Sequence, residues 1–236
     1  MLSYADWRYS FAGAWQQGEH VALLGPTGSG KTYTARDILA VRAYVIVLAV
    51  KRQDDTLRHF TRGEPRYIRT KKWPVNYDTN RAVIVLQPES LSDTTQAIKV
   101  YKVLNDIFLE GGWCIYLDDT GYLTGTLRLK RQITVLLNQG RSSGISVVTA
   151  ATQPNSVAAN IPSETLRQVR HVLMWRFEDE ASIDACAKIV GMSKRALIGY
   201  MAQLQVYDDS STDFLAYRRG YGLVLVRQER NGGYAA

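Results

Sequence analysis

The chain has 236 residues, of which 46% are hydrophobic and 22% charged, the balance of an ordinary soluble globular protein with enough length for one α/β domain and a buried sheet. The longest apolar run, Ala43 to Val50, is too short to span a bilayer, and the N-terminus lacks the basic-then-apolar layout of a secretory signal, so a cytoplasmic protein is expected. A formal net charge of +7 suits a polyanion such as nucleic acid without requiring one.

Residues 4–18 carry aromatics at near-helical spacing and end in Gly18, which predicts a short lead-in helix. Trp7 and Trp15 could flank a nucleobase there, but packing is the preferred reading. The apolar run Val21-Ala-Leu-Leu24 then leads into Gly25-Pro26-Thr27-Gly28-Ser29-Gly30-Lys31-Thr32, followed by the helical pattern Tyr33 to Ala40. Strand, glycine loop and helix in this order form a P-loop. Its glycines let successive backbone N–H groups turn toward a polyphosphate at a helix N-terminus. In such a loop Lys31 meets the β- and γ-phosphates, the Thr32 hydroxyl holds Mg²⁺, and residues 25–33 form the nucleotide cradle.

Tyr44 to Ala49 is apolar on both faces, as a central parallel strand reads. From Lys51 to Lys72 the chain carries eight basic residues against three acidic ones, accompanied by the aromatics Phe60, Tyr67 and Trp73. That composition fits a grip on a phosphate backbone and fits a solvated or subunit-facing surface equally well. Ala82 to Leu86 reads as a strand. Ser92 to Leu109 reads as a helix with Ala97, Val100, Val103, Leu104 and Ile107 on one stripe, closed by Gly111-Gly112.

Trp113-Cys-Ile-Tyr-Leu-Asp118-Asp119 is an apolar strand ending in two carboxylates. Two acids at a strand end can cap the next turn. Downstream of a P-loop they also occupy the Walker B position, where the first orders the Mg²⁺ shell and the second accepts a proton from the attacking water. Gly121 to Arg131 then reads as a flexible loop rich in hydroxyl and basic side chains, running into a helix that lasts to about Gln139. Thr124, Thr126, Arg128, Lys130 and Arg131 are suited to phosphate oxygens.

Gly140-Arg141-Ser-Ser-Gly144 breaks that helix, and Ile145 to Ala150 returns as a strand whose tip carries Gln153, an amide placed to touch a γ-phosphate or its water. Pro154 to Val169 reads as loop and short helix, His171 to Phe177 as a strand, and Glu180–Ile189 and Ser193–Gln203 as helices. Asp213–Arg218 and Gly222–Arg227 form a predicted hairpin, followed by a frayed tail over 230–236. Cys114 and Cys186, with neither CxxC nor Cys/His spacing, are expected in the core. Strands alternating with helices argue for an α/β fold, a mostly parallel sheet flanked by helices, as one domain over 1–236.

Several motifs occur in one order: the P-loop, Leu117-Asp-Asp119, Gly140-Arg-Ser-Ser-Gly-Ile145, Ala151-Thr-Gln153, Asn160-Ile-Pro162, and Arg170 beside an apolar strand. From about residue 18 to 190 this series resembles the FtsK–HerA superfamily of P-loop translocases. The resemblance implies a RecA-like core, ATP hydrolysis with Mg²⁺, movement of double-stranded DNA and a homo-oligomeric, usually hexameric, ring. It implies Walker A roles for Lys31 and Thr32, the Mg²⁺ role for Asp118 and a sensor role for Gln153. Arg141 and Arg170 stand where the family places arginines that approach a neighbouring subunit's nucleotide, and residues 120–131 match its DNA-facing loop. One departure is Asp119, where the family usually has Glu; the shorter side chain reaches less far toward the water.

The size is most like that of viral and phage packaging ATPases, which implies a capsid vertex or portal protein as partner and the host cytoplasm or virion as location. A conjugation or segregation motor, and a nucleotide-gated DNA-binding assembly protein with weak hydrolysis, are the alternatives. A small-molecule phosphotransferase lacks support, since neither an arginine-bearing lid nor an acceptor pocket is evident.

Overall fold

The computed structural model describes residues 1–51, 67–75, 82–154, 168–205 and 213–227. Most of the basic 51–72 segment, Asn160-Ile-Pro162 and the tail 230–236 therefore lie outside the described residues.

Each apolar run read in the sequence is a strand of one ten-stranded sheet. The strands are β1 (Leu2–Ser3), β2 (Val21–Leu24), β3 (Tyr44–Leu48), β4 (Tyr67–Thr70), β5 (Ala82–Leu86), β6 (Cys114–Leu117), β7 (Ser146–Ala151), β8 (His171–Trp175), β9 (Phe214–Arg218) and β10 (Gly222–Arg227). They lie in the order β1-β10-β9-β8-β2-β7-β6-β3-β5-β4. From β8 to β4 every pairing is parallel, with Val21 opposite both Val148 and His171, and Ile46 between Ile84 and Ile115. The predicted hairpin β9–β10 pairs antiparallel, and β9 joins the edge of β8 antiparallel.

Parallel strands need crossovers, and the helices supply them on both faces. Val21, Leu23, Val45, Val47, Cys114 and Tyr116 point to the face covered by α1 (Tyr4–Ala14) and α2 (Lys31–Leu39). Ala22, Leu24, Ile46, Leu48, Ile115 and Leu117 point to the other, covered by α3 (Asp93–Glu110), α4 (Thr120–Gly125), α5 (Lys130–Gln139), α6 (Glu180–Val190) and α7 (Lys194–Met201). Alternate residues of one strand thus feed two cores, which is why these strands read as unbroken apolar runs.

Helix starts follow local chemistry. Ser3, Ser92, Asp179 and Ser193 each accept a backbone N–H as N-caps, a contact worth about 1 kcal/mol. Trp7 and Trp15 are core residues: Trp7 meets Phe214 edge-on, and Trp15 lies under the Arg42 guanidinium at 3.8 Å. The preferred packing reading is the structure's. Both cysteines are free and buried, and burial pushes the Cys114 thiol up to about 12. No helix among the described residues is long and apolar enough to cross a membrane.

Residues 120–131 differ from the expected flexible loop. They form helix α4 and a tight link into α5, because Leu123, Leu127 and Leu129 are spaced to anchor in the core below. Thr124 is buried with them and donates its hydroxyl to the Thr120 carbonyl at 2.8 Å, so this side chain does not face a polyanion.

Candidate nucleotide site

Gly25 leaves the end of β2 with its N–H bonded to the Ala151 carbonyl at 3.1 Å. A Cβ at this position would sit 2.6 Å from Ser29 Oγ and 2.8 Å from Trp175 Cβ, so only glycine lets the loop lie this close to β8. Gly28 and Gly30 hold φ of 79° and 93°, a left-handed conformation that side chains resist. Helix α2 begins at Lys31 with Gly30 as its N-cap and no side-chain cap. Its first-turn N–H groups, which have no partner inside the helix, open onto the loop, where the helix dipole favours an anion. Ser29 Oγ is buried beneath the loop without a hydrogen-bond partner. The cradle fits a polyphosphate.

Lys31 is buried and curls over the loop, donating to the carbonyls of Gly25 at 2.6 Å and Pro26 at 2.7 Å. Burial pushes its ammonium down to about 8, against the pull of Asp118 and Asp119. Both carboxylates therefore share the electrostatic environment of the loop.

The sheet order explains why. β7 lies between β2 and β6, so the Walker B strand is two spacings, roughly 10 Å, from the P-loop strand. Tyr116 and Asp118 fall on the α2 side of β6 by strand alternation, and the Tyr116 hydroxyl donates to Asp118 Oδ1 at 3.1 Å. Asp119 caps α4, accepting the Tyr122 N–H at 3.0 Å through Oδ1. The capping reading of the acid pair thus has its geometric counterpart at Asp119. Gln153 is exposed two residues past β7, whose Ala151 pairs with Leu24. The C-terminal edge of β2, β7 and β6 brings together the P-loop, Gln153 and Asp118.

Arg141 and Arg170 are elsewhere. The backbone of Arg141 packs on Gly18, where a Cβ would meet its carbonyl at 2.8 Å, and Arg170 donates its N–H to the His20 carbonyl. Five residue steps along β2 separate His20 from Gly25, roughly 17 Å at about 3.3 Å per residue. Neither arginine reaches this chain's own P-loop.

This opposite edge holds a buried polar network that sequence reasoning missed. Glu19 Oε2 lies 3.1 Å from His171 Nε2 and accepts the Gln16 N–H at 3.1 Å, while Oε1 is 3.6 Å from Arg170 Nε. Burial pushes the Glu19 carboxyl up, but the Gln16 N–H, His171 and Arg170 together hold it below its ordinary value. His20 accepts the Val147 N–H at Nδ1, which leaves Nε2–H to donate to the Leu137 carbonyl at 3.0 Å; burial pushes this ring down to about 4. The one signal available was an acid and a histidine between Gly18 and a strand, where an apolar lead-in is the simpler choice.

No family model matches the sequence, and no curated protein matches it. Among solved structures, the genome packaging NTPase B204 of Sulfolobus turreted icosahedral virus 2, in complex with sulfate, is similar with a TM-score of 0.62 at 13% identity, covering 92% of this chain and 99% of B204. The chain shares the fold of that packaging NTPase. VirB4 of Thermoanaerobacter pseudethanolicus has a TM-score of 0.64 at 10% identity, covering 91% of this chain and 90% of VirB4. The pCW3 conjugation coupling protein TcpA has 0.52 at 16%, covering 89% of this chain and 59% of TcpA. In this chain the P-loop strand sits inside the sheet, with β7 and β6 inserted between it and β3.

Proposed function

We propose that the chain is an FtsK–HerA superfamily ATPase that works as a homo-oligomeric ring, most simply a hexamer, and translocates double-stranded DNA, as a viral genome-packaging motor does. The reading is supported by the placement of two groups of residues at opposite edges of the sheet. Residues 25–33, Asp118 and Gln153 share the C-terminal edge, whereas Arg141 and Arg170 lie at the other, so that as fingers they would serve a neighbouring copy's nucleotide. ATP fits the cradle; B204 structures with AMPPCP and with ATP-gammaS are among the similar folds. Thr32 and Asp118 would hold Mg²⁺, which neutralises phosphate charge when bound.

Lys31 leaves the Gly25 and Pro26 carbonyls for phosphate oxygens, and the α2 N-terminus takes the rest of the charge. Asp119 draws a proton from water, Gln153 orients that water, and an arginine of the next copy stabilises the charge of the transferring phosphoryl group. An aspartate that caps α4 joins this chemistry to residues 120–131. Asp119→Asn keeps a capping oxygen and should fold like the parent, yet hydrolyse about 100-fold more slowly with little change in ATP binding. Asp119→Ala should lose a further ~1 kcal/mol of stability. Parental phosphate release by Asp119→Asn would leave Asp119 a cap only, whereas tight ATP binding without phosphate release by the parent would move the reading to the nucleotide-gated assembly protein.

For DNA, two features of the α4–α5 link support contact with phosphates. Arg128 is exposed at φ 57° between the buried Leu127 and Leu129, a strained conformation that presents its side chain outward. Lys130 and Arg131 are exposed in the first turn of α5, which has no acid and no side-chain cap. Cations at the positive end of a helix dipole are unfavourable alone and favourable with a bridging anion. Thr126 is exposed beside them.

The test is phosphate release with ATP and Mg²⁺, with and without long double-stranded DNA. In the Arg128→Ala/Lys130→Ala double variant, DNA stimulation should vanish while basal release stays within about twofold, and the salt dependence of DNA binding should flatten by roughly two ions. Undiminished stimulation would remove this segment from the DNA path. A capsid vertex or portal protein as docking partner, and the host cytoplasm and virion as location, complete the packaging reading. Conjugation and segregation motors share the same site chemistry.

A further inference from the structure

Tyr116 lies in the middle layer of the sheet with no exposed surface. Its neighbours in register are Val47 on β3 and Val148 on β7, so the surrounding layer is built from aliphatic side chains. A buried phenol adds a hydroxyl that costs free energy unless it finds a partner. Here the partner is Asp118, two residues on along the same face of β6, whose Oδ1 accepts the hydroxyl at 3.1 Å.

We propose that Tyr116 is a positioning residue for Asp118: its hydroxyl fixes the rotation of the Asp118 carboxylate and so sets how tightly a divalent cation is held beside the nucleotide. The inference rests on the reading of Asp118 as the residue that orders that cation. Without the hydroxyl the carboxylate loses one anchor against turning about its last torsion, which is soft and has no sharp rotamer wells. Hydrogen-bond partners of metal-binding carboxylates tune affinity by about 10–100-fold. Tyr116→Phe keeps the ring and the packing and deletes only the donor.

The probe is Mn²⁺ with a non-hydrolysable ATP analogue, followed as free Mn²⁺ by electron paramagnetic resonance, on the parent, Tyr116→Phe, Asp118→Asn and the double variant. The expected result is Mn²⁺ affinity about tenfold weaker in Tyr116→Phe, with analogue affinity in EDTA and the thermal midpoint unchanged. Turnover of Tyr116→Phe should recover toward the parent at high Mg²⁺, so the apparent Mg²⁺ constant moves more than kcat. In the Asp118→Asn background the Tyr116 substitution should have no additional effect, the signature of coupling through one contact. Mn²⁺ affinity within twofold of the parent in Tyr116→Phe, while Asp118→Asn is weakened, overturns the positioning role alone. Undiminished affinity in Asp118→Asn overturns the assignment of Asp118 to the cation and the positioning role with it.

Discussion

Mixing Lys31→Ala and Arg170→Ala subunits, each inactive alone, should restore ATP hydrolysis. Arg170 belongs to the edge of the sheet opposite the P-loop, so as a finger it would serve the nucleotide of another copy. A transition-state arginine is worth about 10³–10⁵ in turnover, and its removal should bring hydrolysis close to background. In a mixed ring, an interface that pairs the intact P-loop of an Arg170→Ala subunit with the intact arginine of a Lys31→Ala subunit is complete; at equal input about a quarter of interfaces have this composition. Arg170 is the better candidate of the two. Its N–H donates to the His20 carbonyl, its carbonyl accepts the Arg219 N–H, and its guanidinium faces the buried Glu19 carboxylate at 3.6 Å. Such a group acts without reorganisation. The side chain of Arg141 is exposed and would lose rotamer freedom on engagement. The measurement is steady-state phosphate release across mixing ratios, with the same series for Arg141→Ala. Failure of rescue at every ratio, with mixed assemblies demonstrated, would exclude a shared site; rescue confined to the Arg141→Ala series would reassign the finger.

Lys31→Ala should by itself lower turnover about 10³-fold or more without unfolding the protein. An ammonium aimed at phosphate oxygens stabilises charge inside a site with little water, where removal of one such donor costs about 10²–10³ in rate and weakens nucleotide binding in addition. Stability should be kept, because burial already disfavours the charged form of this lysine and holds its pKa at about 8. The variant removes that strain together with two contacts to loop carbonyls. Phosphate release, binding of a fluorescent ATP analogue and the thermal midpoint together decide the matter. A midpoint near the parent's with turnover lost places the effect in the site, whereas substantial turnover in a folded Lys31→Ala would end the ATPase reading of the loop.

The site residues differ in how far the chain itself announces them. The P-loop is legible because its constraints are local: left-handed backbone at Gly28 and Gly30, no room for a Cβ at Gly25, and a helix beginning at Lys31. Asp118 is legible as the end of an apolar run. Thr124 misled, since hydroxyl and basic residues read as an exposed loop, whereas Leu123, Leu127 and Leu129 turn the same segment into a packed helical turn. The Glu19–His171 contact joins residues 152 positions apart, and no local pattern encodes a pairing over that distance. Tyr116 reads as one more apolar strand residue until its hydroxyl is seen to end on Asp118.

The sequence by itself determined the long helices and the central strands, the parallel character of those strands, the C-terminal hairpin and the phosphate cradle. Each depends on spacing, capping and backbone freedom within a few residues. Only the tertiary structure decided that β7 and β6 insert between β2 and β3, which sets Asp118 and Gln153 beside the P-loop. It also decided that Arg141 and Arg170 stand at the far edge. Strand order and edge are properties of long-range packing, in which apolar faces exchange partners at nearly equal local cost and only the assembled core selects one arrangement.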